Sequence, residues 1–216
     1  MEITPELILK AYAFGVFPMA RSRSDADVAW VQPKLRGILP LDAFHMSRSL
    51  RRVIRRETFA VTCDAAFDRV MQGCADPGPK RPETWINDTI FRLFSDLHHA
   101  GLAHSVEVWR DGELVGGIYG LAMGAAFFGE SMFSRADNAS KVALSHLAGI
   151  LKRGGFALLD AQFITDHLKQ FGAIEIPQKD YLALLSGALE RRGVFQGPLE
   201  PDALLAELSQ ANTQTS

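Results

Sequence analysis

His104-Ser105-Val106-Glu107-Val108-Trp109, then Asp111-Gly112, then Leu114 to Ala122, then Ala125 to Phe133 is the stretch that decides the fold. Its first segment alternates apolar and polar residues, the period of a half-buried strand. Asp111-Gly112 is a strong hairpin signal, because the favoured two-residue turn needs positive φ at both central positions. Met123-Gly124 is a weaker signal of the same kind. The stretch therefore reads as an antiparallel meander of three strands.

Downstream, the apolar period changes from two to about 3.6. Asn138 to Arg153 is a predicted helix with Val142, Leu144, Leu147 and Leu151 inside, closed by Gly154-Gly155. Phe156 to Gln162 is a mostly apolar strand, as expected for a central one. A short helix over Thr165 to Phe171, a strand over Ile174 to Ile176 and a firm helix over Lys179 to Arg192 follow. Pro201 can open one more short helix, and Asn212 to Ser216 should fray.

Upstream, Thr4 can cap a helix with Pro5 at its first position, ended by Gly15. Leu7, Ile8, Ala11, Tyr12 and Phe14 supply its apolar stripe, and Phe17-Pro18 breaks the pattern. Val28 to Val31 reads as a short strand, and a boundary falls near Pro33. A helix is expected over Ser47 to Arg56, a strand over Phe59 to Cys63 and a helix over Ala65 to Cys74. Asp76 to Glu83 is a Pro-rich loop, and Asn87 or Asp88 caps a helix that Gly101 ends. The order is α+β: a small N-terminal domain over 1–33, a main domain over 34–198 and a tail over 199–216. There is no internal repeat.

Composition bounds the function. Of 216 residues, 47% are hydrophobic and 22% charged, so a core can form and wholesale disorder is excluded. No apolar run is long enough for a membrane-spanning helix. The acidic N-terminus lacks a secretion core, so a cytoplasmic protein is expected. Cys63 and Cys74 make neither a disulfide framework nor a metal site, and the six histidines lack metal-ligand spacing. No metal and no cofactor is implied. The net charge of −2 hides an asymmetry: residues 1–56 hold ten Lys/Arg against five Asp/Glu. Arg48, Arg51, Arg52, Arg55 and Arg56 make either an anion site or a solvated helix face.

Several residues could carry chemistry. Asp160 and Gln162 lie two apart on one strand, so period two points both to one face. They could polarise a nucleophile or form a hydrogen-bonded core pair. Glu130 interrupts the apolar run Phe127-Phe128-Gly129-Glu130-Ser131-Met132-Phe133 and needs a partner. Arg135 could be that partner, or Glu130 faces a cleft and meets a cation. Trp85 anchors its loop or stacks on a base. The element order resembles the N-acetyltransferase-like fold. Its phosphate-binding turn would be Ser134-Arg135-Ala136-Asp137-Asn138, which has no glycine, so a coenzyme A ester is a poor fit.

The run Phe127 to Arg135 resembles the leucyl/phenylalanyl-tRNA–protein transferase family. So do Phe17-Pro18, Thr84-Trp85-Ile86, His104 to Trp109 and Gly116-Gly117-Ile118-Tyr119-Gly120. Asn138-Ala139-Ser140-Lys141, Asp160-Ala161-Gln162 and Gly172-Ala173-Ile174-Glu175-Ile176-Pro177 continue the match, which covers roughly residues 4–190. The resemblance implies an aminoacyltransferase with an N-acetyltransferase-like fold and a small N-terminal domain. It would move Leu or Phe from aminoacyl-tRNA to proteins that begin with Arg or Lys, marking them for N-end-rule degradation.

By the same resemblance, Asp160 and Gln162 position and deprotonate the acceptor amine, and Glu130 meets the acceptor. Ile118, Met132, Leu144, Leu147, Leu151 and Leu159 form the donor pocket. Trp85 and Phe127 lie near the terminal adenosine. The five arginines meet the tRNA backbone, and the protein acts as a monomer. Met19-Ala20 and the single Trp30 depart from the family's more aromatic pattern. Two other classes compete: a small-molecule N-acyltransferase and a non-catalytic tRNA-binding protein.

Overall fold

The computed structural model describes residues 3–25, 27–77 and 84–209. Gly78, Pro79 and Pro82 of the expected loop, and the expected frayed end Asn212 to Ser216, lie outside them.

Helix α1 (Pro5–Ala13) starts as its sequence dictates, with the Thr4 hydroxyl accepting from the Leu7 N–H and Pro5 in the first turn. Phe14 does not join its apolar stripe and is 73% exposed. Strands β1 (Phe17–Ala20) and β2 (Val28–Val31) pair antiparallel as a separate two-stranded sheet. Phe17-Pro18 thus breaks the helical pattern by opening a strand. Pro18 lies opposite Trp30, and a ladder of only two strands tolerates its missing N–H.

Strand β3 (Leu35–Ile38) was not expected from sequence. It is four residues between Pro33 and Pro40, and Arg36-Gly37 hides its alternation. Helix α2 (Arg48–Arg55), strand β4 (Ala60–Cys63), helix α3 (Phe67–Ala75) and helix α4 (Asp88–His99) follow. Asn87 caps α4, its side chain accepting from the Ile90 N–H at 2.8 Å. The meander is β5 (Ala103–Arg110), β6 (Glu113–Met123) and β7 (Ala126–Ser134). Then come α5 (Ala139–Arg153), β8 (Leu158–Gln162), α6 (Asp166–Lys169), β9 (Ile174–Pro177), α7 (Gln178–Leu189) and α8 (Pro201–Glu207).

The main sheet has seven strands in the order β4-β5-β6-β7-β8-β3-β9. Only β7 and β8 run parallel, joined by the crossover helix α5. Helices α2, α5 and α8 share one hydrophobic cluster. Helices α1, α3, α4 and α7 share a second. Each cluster draws side chains from the sheet, so two layers of helix sandwich it. Leu199, Leu204, Leu205 and Leu208 are buried in the first cluster, so the segment expected as a tail contributes core. At Gly149 of α5, an added Cβ would overlap Leu204, which is why α8 can lie so close.

Two irregularities open the sheet. The β6–β7 register passes from Tyr119↔Ser131 to Gly120↔Gly129, leaving Glu130 as the extra residue of a β-bulge. Bulges re-aim a side chain and end pairing. A Cβ at Gly120 would overlap the Phe128 carbonyl and the Phe127 ring, so the bulge requires glycine opposite. The parallel β7–β8 pairing covers only Ala126↔Leu158 to Phe128↔Asp160. Beyond that point the two strands no longer pair, and a pocket lies there.

Candidate active site

The pocket has a volume of about 460 Å³. Ile118, Met132 and Leu159 come from three sheet strands, Leu144 and Ser140 from α5, and His167 and Leu168 from α6. Phe17, Pro18 and Met19 of β1 and Trp85 add further walls, and Glu130, Asp160 and Gln162 also line it. An apolar chamber thus adjoins a polar cluster. That is the usual anatomy of a small-molecule site: apolar walls and a few convergent polar groups.

The polar cluster is a chain of hydrogen bonds. Asp160 is fully buried, and both its oxygens are occupied. Arg36 Nε reaches Oδ1 at 2.9 Å, and Arg36 Nη2 reaches Oδ2 at 2.6 Å. The Tyr181 hydroxyl donates to Oδ2 at 2.7 Å, and the Gln162 N–H donates to Oδ1 at 2.8 Å. Gln162 has φ +54°, and the Phe163 N–H turns back to the Ala161 carbonyl at 2.6 Å. The strand therefore ends in a tight three-residue turn centred on Gln162, a conformation that costs of order 1–3 kcal/mol. Asp160 is the group that pins it. From that turn, Gln162 Nε2 donates to Glu130 Oε1 at 3.2 Å, and the Tyr12 hydroxyl donates to the same oxygen at 2.7 Å.

Charge follows burial. Burial, with the Asp160 carboxylate nearby, pushes Glu130 up to about 8, against the opposing hydrogen bond from Tyr12. Burial also raises Tyr12 and Tyr181 well above the usual tyrosine range. Burial alone would lower Arg36, but its hydrogen bonds to Asp160 hold it above its ordinary value. Its guanidinium lies 4.5 Å from the Phe17 ring and 4.6 Å from the Tyr181 ring, and donates to the Gly15 carbonyl at 3.1 Å. Each of its three nitrogens thus donates a hydrogen bond, which suits a buried cation.

The structure brings together Asp160, Gln162, Glu130, Ile118, Met132, Leu144, Leu159 and Trp85. Leu147 and Leu151 do not line the pocket. They lie further along α5, buried in the core. Phe127 is also absent from the lining; it packs on Phe156 and Phe195 with ring centroids at 6.2 and 5.9 Å. It is in register with Leu159 of β8 but packs in the α5 cluster, so it cannot stack on a ligand in the pocket. Of the two readings of Glu130, the pair with Arg135 does not form and the pocket-facing one holds. Arg135 is half-exposed and pairs with Asp76 at 2.7 Å.

Arg48, Arg52, Arg55 and Arg56 are exposed on α2 and at its C-terminal cap. Arg51 differs: it is part-buried and donates to the Met46 carbonyl and the Ser209 hydroxyl. Its role includes holding α2 to the end of α8.

Sequence reading missed Arg36, Tyr181 and the polar role of Tyr12. Arg36 left a trace, a lone charge in Leu35-Arg36-Gly37-Ile38-Leu39 that needed a partner. Tyr12 looked like one more apolar-stripe residue. Among the described residues, no group of three His, Cys, Asp or Glu could hold a metal ion, and no helix is long and apolar enough to cross a membrane.

Comparison with known proteins places this geometry. A family model described as leucyl/phenylalanyl-tRNA protein transferase matches residues 38–186, and the model of that family's N-terminal domain matches residues 1–34. The chain belongs to the leucyl/phenylalanyl-tRNA protein transferase family. The relative named leucyl/phenylalanyl-tRNA–protein transferase from Paramagnetospirillum magneticum is 60% identical over 193 residues, covering 89% of this chain and 92% of the relative. The protein of that name from Rhodospirillum rubrum is 57% identical over 206 residues, covering 95% and 96%. The structure of L-PGS from Bacillus licheniformis aligns with all of this chain and 73% of its own, but at 12% identity and a TM-score of 0.41 it is too remote to bear on function. The two family segments meet at β3, whose Arg36 lies in the gap between them and joins the N-terminal residues Gly15 and Phe17 to Asp160.

Proposed function

We propose that this chain moves Leu or Phe from aminoacyl-tRNA to the N-terminal Arg or Lys of acceptor proteins, in the cytoplasm and as a monomer, so marking them for N-end-rule degradation. The observation that carries this reading is the apolar chamber of Ile118, Met132, Leu144, Leu159 and Leu168 set against the Glu130–Gln162–Asp160 cluster. An aminoacyl ester has an apolar side chain to bury and a carbonyl to present. The chamber takes the side chain, and the polar cluster takes the incoming amine at that carbonyl. Such preorganised placement of two reactants supplies much of the catalysis an acyl transfer needs.

In this reading Gln162, fixed by Asp160, orients the amine, and Glu130 meets the cationic end of the acceptor. Trp85 lies against the terminal adenosine. The exposed Arg48, Arg52, Arg55 and Arg56 contact the tRNA backbone without reading its sequence. Discrimination among apolar donors rests on pocket volume, worth about 1–3 kcal/mol per methylene.

The test is transfer of labelled leucine from leucyl-tRNA to peptides beginning with Arg, Lys or Ala. Label should pass to the first two and not to the third. Label on all three alike, or on none, would sink the acceptor assignment.

A further inference from the structure

We infer that the protein carries a second binding site, across α5 from the transfer pocket, for a small aromatic amine with a hydroxyl on its ring. The inference does not depend on the transferase reading.

The site is a cavity of about 170 Å³ between the end of α2, strand β4, helix α5 and the start of α8. It shares no lining residue with the transfer pocket. Val142 and His146 line it and lie four apart, on one face of α5. Ser140 and Leu144 of the transfer pocket are each two residues away, about 200° round the helix axis. One helix therefore walls two separate chambers.

His146 is the group in this cavity that the fold does not use. It is 5% exposed, and its buried Nδ1 has no hydrogen-bond partner among the described residues. A buried polar atom left unpaired is costly, so native structures seldom keep one without a reason. Burial also holds the imidazole neutral, lowering it to about 4. In a neutral imidazole Nδ1 either donates or accepts, according to the tautomer. A hydroxyl can answer both, which an amine cation or a carboxylate cannot.

The walls fix the size and the body of the ligand. Val53, Val61, Val142 and Phe59 supply apolar surface. A cavity of about 150 Å³ lined by apolar side chains holds a benzene ring, so this one holds a single six-membered ring with a short substituent.

The mouth fixes the charge. Glu57 and Glu200 line the cavity and are exposed, and neither forms an ion pair with a described residue. Glu57 has φ +49°, in the left-handed region that a side chain rarely adopts. Arg55 and Arg56 precede it but do not line the cavity. The cavity also sits at the C-terminal end of α2, where helix carbonyls favour a cation. A phenolic amine meets all three demands: its hydroxyl pairs with His146, its ring packs on the valines, and its ammonium lies between the carboxylates.

The probe is tyramine, titrated at about pH 7.5, where the amine is charged and His146 neutral. The readout is the ring-nitrogen resonances of ¹⁵N-histidine-labelled protein, those of His146 identified by their loss in His146→Phe. The expected result is a saturable shift at His146 with Kd below about 1 mM, and phenethylamine, which lacks the hydroxyl, binding about tenfold more weakly. Glu57→Gln with Glu200→Gln changes only exposed side chains, and should weaken tyramine about threefold or more at low salt, with the difference shrinking as salt is added. If His146→Phe melts early, sequential assignment of wild type identifies the resonances instead. Unmoved His146 resonances at about 10 mM tyramine would mean that His146 meets water only, and would overturn the proposal. Equal binding of phenethylamine would overturn the hydroxyl contact, and unchanged affinity in the double glutamine variant would overturn the amine assignment. Tyramine displaced by leucyl-adenosine with His146 unmoved would place it in the transfer pocket, and would likewise overturn the second site.

Discussion

Arg36→Met would isolate Asp160 in the centre of the sheet. The pair is 1% and 0% exposed, and the guanidinium approaches the carboxylate at 2.6 Å. Removing one member of a buried pair costs about 3–5 kcal/mol, because the other is left uncompensated. A domain of this size loses roughly 2–4 °C of melting temperature per kcal/mol, so the melt should fall by roughly 6–20 °C. Asp160→Asn should cost a comparable amount by stranding Arg36. The Gln162 N–H and the Tyr181 hydroxyl donate to opposite oxygens, so the single oxygen of asparagine serves one of them, and the loss combines the charge with one hydrogen bond. The double variant Arg36→Met with Asp160→Asn strands no charge. Its loss should be smaller than the sum of the singles by at least about 2 kcal/mol, within the usual coupling of contacting residues. Urea unfolding of the four proteins measures this. Additive losses, or an Arg36→Met protein within about 1 kcal/mol of wild type, would refute the claim that this pair anchors the site.

Other expectations follow from single residues. Arg52→Ala with Arg55→Ala should lower the log–log salt slope of tRNA binding by about 0.9 for each phosphate no longer neutralised, read by filter binding, with the melt unchanged. Arg51→Ala should instead lower stability, since Arg51 holds Ser209. Burial depresses His146 to about 4, below its unfolded value near 6.5, so its contribution is present above pH 6.5 and is lost as pH falls toward 4. Up to about 3 kcal/mol should vanish across that window, and His146→Leu should flatten that part of a stability–pH curve. Glu130 has the opposite sign: its raised value favours the folded state below about pH 4.5 and that support is lost as pH rises to about 8, so Glu130→Gln should flatten the decline between those two values. Leu144→Phe should narrow the chamber and raise KM for a phenylalanyl donor more than for a leucyl donor, by about tenfold or more.

The legible parts of the fold were those whose signal is local. The meander announced itself through Asp111-Gly112 and its period, and α5 through four inward apolar residues and a closing Gly154. The parts that escaped depend on distant partners. β3 is a strand only because β8 and β9 flank it, and Arg36 is tolerable only because Asp160 lies 124 positions away. Tyr12 and Glu130 are 118 positions apart, and nothing near either names the other. Asp160 and Gln162 were visible as a pair, but the expected geometry was two side chains on one face. Their actual link is a backbone N–H to a carboxylate, across a turn at positive φ. Period two ends where that turn begins. The pocket lining was read half through the strands, where alternation fixes the face, and failed at Leu147 and Leu151, where a helix face extends past the pocket into core.

The most direct measurement of the central claim is the mass of an Arg-starting peptide after incubation with this protein and leucyl-tRNA. The expected product is the peptide lengthened by one leucine at its N-terminus, formed in step with tRNA deacylation. Deacylation with the peptide mass unchanged would contradict the account.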